Sequence, residues 1–285
     1  MIVPKGKLIP IGGKEARSTP DRNDSESSRQ IEFNSNGVLQ QVLMEMKGPD
    51  SRIVVITTAS QIPDEMGEMY IRAFNELGCS QVHVLHLDGR NVNSQKSLET
   101  LAAADGVFFT GGDQTRLTDK ICDSKFMDLL RERYVNEDFV IAGTSAGAMA
   151  MSATTIKEGS DEESLLKGIV ELERGFSLLP DTIIDTHFMS RGRFSRLSEA
   201  LLANPGFIAL GICEDTGLVI EQGGIMRTIG SGVVLLLEAD KIKETNFKKA
   251  KKLQPVYVEG MHMHILAKGA GYSLKDRKFL LIEDK

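Results

Sequence analysis

The sequence is short of positive charge. Against 40 Asp and Glu it carries 34 Lys and Arg, a formal net charge of −6. No basic surplus is left to neutralise phosphates, which argues against nucleic acid as a partner. Cysteine is scarce too: Cys79, Cys122 and Cys213 are odd in number and widely spaced. They suggest neither a disulfide framework nor a thiolate metal centre. No apolar run approaches membrane-spanning length, and the opening MIVPKGKLIPIGG lacks the apolar core of a signal peptide. These absences point to a cytoplasmic protein in a reducing compartment, without a membrane partner. Internal repeats and low-complexity tracts are absent as well.

What the 285 residues do contain is an alternation of short apolar runs and helical spacings. Strands are expected at 7–11 (closed by Gly12-Gly13), 52–58, 81–87, 106–110 and 139–142. Helices are expected between them at 30–46, 63–77, 96–104, 114–119 and 126–134. A polar loop, 14–28, is placed near the mouth of a site. Continuously apolar strands joined by short turns predict an α/β fold. Its doubly wound, mostly parallel sheet would form a three-layer α/β/α sandwich, with sites at the carboxyl ends of the strands.

Beyond a charged loop at 159–164, strands at 182–185 and 207–213 flank a helix at 192–202. The remaining segments GLVIEQG, IMRTIGSGVVLLLE, QPVYVEGMHMHILAKG and GYSLKDRKFLL read as strands with glycine turns. They predict a C-terminal antiparallel β extension. No linker-like boundary precedes it, so one domain over 1–285 is expected.

The chain is organised around DFVIAGTSAGAMAMS at 138–152. A strand that turns at Gly-x-Ser-x-Gly into small, helix-forming residues is a nucleophile elbow, with Ser145 at its apex. The N–H of Ala146 then lies at a helix start, where an oxyanion can form, and the Gly112 amide after the 106–110 strand can complete the hole. Serine needs a base, normally an imidazole oriented by a carboxylate. His83, His86, His262 and His264 fall within predicted strands, whereas His187 falls just past a strand end, where site residues collect. Glu214 is the first choice of acid. Asp215 and Asp185 remain alternatives, Asp185 also as a pocket acid. The order Ser145, His187, Glu214 differs from the Ser, acid, His order of α/β-hydrolases and points away from lipases and esterases. No metal-ligand cluster is visible, so no cofactor is expected.

Arg191, Arg193 and Arg196 gather at a helix start, where the helix dipole disfavours cations. A carboxylate-bearing ligand explains them better. Gln114, after Gly111-Gly112-Asp113, is placed to hydrogen-bond a substrate.

Taken together, Gly12-Gly13, TGGDQTRL (110–117), GTSAGA (143–148), DTHFMSRGRFSRL (185–197) and CED (213–215) resemble the cyanophycinase family. These are serine peptidases of family S51, related to peptidase E and to the class I glutamine amidotransferase-like fold. The resemblance runs from Gly12 into the C-terminal strands. It implies an exopeptidase, commonly a homodimer, that releases β-Asp-Arg dipeptides from cyanophycin, a polyaspartate with arginine isopeptide-linked to each side chain. Ser145, His187 and Glu214 match the family's nucleophile, base and acid. Gln114, Asp185, Arg191, Arg193 and Arg196 match its pocket. Thr186 stands where some members have Gln, a departure that bears on the exact substrate. The rival readings are a peptidase E-like aspartyl dipeptidase and a non-catalytic binding protein on the same fold. A glutamine amidotransferase would carry Cys at the elbow.

Overall fold

The computed structural model describes residues 3–17, 37–159 and 164–282. In it β1 (Lys7–Ile11), β2 (Arg52–Ile56), β3 (Gln81–Leu85), β4 (Gly106–Phe109) and β5 (Val140–Thr144) pair in the order β1-β5-β4-β2-β3, every pair parallel. The four inner strands are buried almost end to end, as a sheet covered on both faces requires. β3 is the outer edge. Its alternating sequence leaves Gln81 and His83 exposed there.

Side chains along a strand point to opposite faces in turn. Ile53, Val55, Phe108, Val140 and Ala142 meet Val42 of α1 (Val38–Met44) and Tyr70 and Phe74 of α2 (Pro63–Glu76). On the opposite face, Val54, Ile56, Val107, Phe109 and Ile141 share a core with three further helices. Leu101 comes from α3 (Gln95–Ala102), Leu117 from α4 (Gln114–Ile121), and Phe126 and Leu130 from α5 (Lys125–Asn136). The helix starts are local in origin. Ser94, Asp113 and Ser124 accept hydrogen bonds from the N–H groups of Ser97, Thr115 and Met127. Pro63 opens α2 with Asp64 and Glu65 in its first turn.

Beyond β5 come the short α6 (Ala146–Met149) and a ribbon of β6 (Thr154–Glu158) and β7 (Glu171–Arg174). Then follow β8 (Thr182–Thr186), α7 (Phe194–Ala203), β9 (Ile208–Ile212), β10 (Thr216–Glu221), β11 (Ile225–Gly230) and β12 (Val234–Glu238). The two-residue strands β13 (Glu244–Thr245) and β14 (Val258–Glu259) pair with each other, and β15 (His262–Leu266), β16 (Ala270–Ser273) and β17 (Lys278–Leu281) close the chain.

The antiparallel extension is shared between two sheets. β10, β11, β16 and β17 add to the β1 edge of the parallel strands, giving nine strands in all. β8 and β9, although parallel to each other, stand apart and form a four-stranded sheet with β12 and β15. Ile184, Leu210, Ile212 and Leu236 turn from this second sheet into the large core, while Ile183, Ala209, Leu235 and Leu237 meet Leu197 and Leu201 of α7. Only residues 213–215 lie between β9 and β10, so the chain crosses from one sheet to the other within three residues. Asp215 reverses it at φ +47°.

Of the 30–46 helix the described part begins at Val38. Residues 18–36, which hold most of the 14–28 loop, and 160–163 of the charged turn lie outside the described residues. Among the described residues, no helix is long and apolar enough to cross a membrane.

Candidate active site

β5 delivers Ser145 and α6 carries the chain away from it. The serine is held at φ +51°, ψ −114°, a conformation that L-residues avoid outside over-determined sites. The turn is too crowded for side chains on its glycines. A Cβ on Gly143 would lie 2.8 Å from the Gly147 backbone, and one on Gly147 would run into the carbonyl oxygen of Phe109. The Gly111-Gly112 turn lies alongside, with the Cβ position of Gly111 3.9 Å from Ser145 Oγ.

Three consecutive carbonyls at the end of β1 gather the site. Ile11 accepts the backbone N–H of Ser145 at 3.0 Å, Gly12 that of His187 at 2.8 Å, and Gly13 that of Asp215 at 2.9 Å. Three segments far apart in the chain are thereby pinned to adjacent peptide groups. The side chains follow. His187 Nε2 lies 3.2 Å from Ser145 Oγ and its Nδ1 2.8 Å from Glu214 Oε1. With the Nδ1–H donating to the carboxylate, the Nε2 lone pair accepts the serine hydroxyl. His187 too has a left-handed backbone, at φ +50°. Gly13 packs flat on its ring, where a Cβ would overlap Cε1 and Nε2.

The electrostatics favour the neutral imidazole. Burial lowers the pKa of His187, and the charges of Arg191 and Arg193 push it the same way against the hydrogen bond it donates to Glu214. For Glu214, burial raises the pKa. Hydrogen bonds from His187, Lys14 and Ser190 together outweigh that and hold it below the ordinary carboxylate value. An uncharged imidazole nitrogen facing a serine hydroxyl, backed by a carboxylate, can take the proton and release a nucleophile.

The structure brings some predicted pocket residues together and sends others inward. Arg191 is exposed beside His187. Arg193 and Arg196 are only 7% and 6% exposed, and both bind Asp185, which is fully buried. Arg196 grips both carboxylate oxygens, while Arg193 reaches one at 3.2 Å and the Thr186 carbonyl at 2.9 Å. Two of the three cations crowded at the start of α7, Arg193 and Arg196, are thus answered from within the protein. Asp185 makes no bond to the imidazole, so the carboxylate beside His187 is Glu214. Thr186 is buried, and Gln114 donates its amide to the carbonyls of Ile156 and Lys157 on β6. That strand leads to Gly159, whose Cβ position is 3.6 Å from Arg196.

Three further residues belong to the site. Ser190 donates to Glu214 Oε1 at 2.9 Å, and Lys14 Nζ lies 3.1 Å from the same oxygen. Glu15 is buried between Thr144, whose hydroxyl donates at 2.6 Å, Arg17 at 3.1 Å and the Tyr70 hydroxyl. Ser190 was findable, one helical turn past His187. Lys14 and Glu15 meet partners 200 and 129 residues away, and the sequence placed them only in the 14–28 loop near the site mouth, with no role for either.

A strained serine at a strand-to-helix turn in a mixed α/β sheet, faced by an imidazole, is the arrangement of a hydrolase. The profile of Peptidase family S51 matches residues 25–228, and the chain belongs to that family. It is therefore a serine-type peptidase. Among curated relatives, a cyanophycinase of Trichormus variabilis is 35% identical over 229 residues, spanning 80% of this chain and 77% of its own. A cyanophycinase of Synechococcus elongatus is 31% identical over 272 residues, 95% of this chain and 80% of the relative. Solved structures share the fold. A peptidase from an acI-B1 actinobacterium superposes with a TM-score of 0.65 at 19% identity, covering 96% of this chain and 98% of the other. A putative peptidase E of Listeria monocytogenes gives 0.51 at 17% identity, covering 79% and 98%.

Proposed function

We propose that this chain is a serine exopeptidase acting on cyanophycin, releasing β-Asp-Arg dipeptides through Ser145, His187 and Glu214. The observation that carries the reading is the hydrogen-bonded line from Glu214 through His187 to Ser145, at 2.8 and 3.2 Å. The substrate is suggested by the relatives named cyanophycinase and by the exposed Arg191 beside His187.

Ser145 Oγ attacks the peptide carbonyl carbon between adjacent backbone aspartates as its proton passes to His187 Nε2. The carbonyl oxygen, now anionic, takes hydrogen bonds from the backbone N–H groups of Ala146 and Gly112, worth about 3–4 kcal/mol per donor in comparable enzymes. The imidazolium, held by Glu214, returns its proton to the leaving amine as the C–N bond breaks. Water then gives a proton to His187 and its hydroxyl to the acyl carbon, and the adduct collapses by breaking the bond to Ser145 Oγ, which takes that proton back from His187. Arg191 meets the substrate's carboxylates from the rim. Asp185, Thr186, Arg193 and Arg196 form the pocket's buried wall, and Gln114 holds β6 against it.

Incubation with purified cyanophycin and mass analysis of the products tests this reading. Wild-type protein is expected to release β-Asp-Arg and Ser145→Ala to release none. Turnover of Asp-X dipeptides with the polymer left intact would replace the substrate with that of an aspartyl dipeptidase. A Ser145 that fails to react with a fluorophosphonate would remove the catalytic reading altogether. Light scattering checks the homodimer that the family resemblance implies.

A further inference from the structure

Lys14 is an unexpected occupant of its position. It follows Gly13 in a left-handed conformation, φ +46°, which costs a β-carbon-bearing residue energy and which Gly or Asn would adopt more readily. Four non-glycine residues with positive φ converge here: Lys14, Ser145, His187 and Asp215. Backbone strain of this kind collects where a side chain is needed in a particular place. The side chain of Lys14 is 71% exposed, yet its ammonium sits 3.1 Å from Glu214 Oε1.

Support of Glu214 alone explains this poorly. That oxygen already accepts from His187 and Ser190, at 2.8 and 2.9 Å. A further cation near the imidazole also opposes the imidazolium that forms during catalysis. An ammonium has three N–H donors, and Glu214 takes one. The position of the backbone suggests what else Lys14 serves. Gly13 lies over the Cε1–Nε2 side of the His187 ring, the side that hands a proton to the leaving amine, and Lys14 is the next residue. In a peptide cleaved at its last bond, the leaving residue's free α-carboxylate is two bonds from that amine.

The geometry points to Lys14 as a substrate-binding residue that grips the free α-carboxylate of the leaving residue, so that a chain end is selected over internal bonds. This rests on the peptidase reading above, since it needs a leaving amine at His187.

The test is a binding measurement in the Ser145→Ala background, where bound peptide is not consumed. The probes are the two-unit oligomer of β-Asp-Arg with a free C-terminal carboxylate and the same oligomer amidated. By calorimetry the acid is expected to bind roughly tenfold more tightly than the amide, the value of one charge-assisted hydrogen bond. Adding Lys14→Met should bring the ratio near one, whereas Lys14→Arg should keep most of it. Unchanged melting temperatures show that the variants are folded, as expected for an exposed side chain. A ratio unmoved by Lys14→Met, equal binding of acid and amide, or no binding of either overturns the assignment. Turnover by the chain with Ser145 intact is read separately. Lys14-dependent preference without cleavage would keep this assignment and discard the peptidase mechanism.

Discussion

The pKa of His187 sets the pH at which this site can work. Burial, Arg191 and Arg193 all push it below 6.5, so the ring is mostly uncharged at neutral pH and ready to accept the proton of Ser145. The acidic limb of kcat/KM is therefore expected to have its midpoint below 6.5. Arg191→Ala removes a nearby positive charge, which makes protonation easier and raises the pKa. The acidic limb should then move to higher pH, read from kcat/KM profiles of the two proteins side by side. Gly13→Ala tests the packing on the ring, because the new methyl would overlap Cε1 and Nε2. Imidazole displacement of this kind is expected to lower kcat by about 10²-fold or more, with circular dichroism showing the fold retained.

Among the elements, the turn from β8 into α7 shows what sequence could and could not reveal. The elbow was legible because its constraints are local: a strand, crowded glycines and a helix within a dozen residues. His187 and Glu214 were legible as residues at strand ends. The arginines were legible as a cluster but not as to what they touch. A basic run at a helix start looks the same whether it faces a ligand or a buried carboxylate eight and eleven residues behind it, as Arg193 and Arg196 face Asp185. Removing one partner of a buried pair typically costs about 3–5 kcal/mol. Asp185→Ala is expected to lose stability on that scale by urea unfolding. Asp185→Asn, which keeps the shape and an acceptor oxygen, should lose less.

At the scale of the whole molecule, the alternation of strands and helices foretold the layered parallel sheet, since hydrophobic periodicity is written in neighbouring residues. The departure of β8 and β9 into a second sheet was not written there. An apolar strand such as TIIDT or IALGI carries no mark of which sheet it will join, and only the three-residue crossing at 213–215 decides it. That crossing puts Glu214 at the seam between the sheets, while Ser145 ends a strand of the larger sheet and His187 follows one of the smaller. A site divided in this way would drift whenever the two sheets shifted, were it not for the carbonyls of Ile11, Gly12 and Gly13. Consecutive Cα atoms are 3.8 Å apart whatever the temperature, so this stretch acts as a jig whose spacing is set by covalent bonds. Warming should loosen the layers without spreading the reacting groups. Catalysis and tertiary structure are then expected to vanish together, in a single sigmoid, when residual turnover and near-ultraviolet dichroism are followed on the same heated samples.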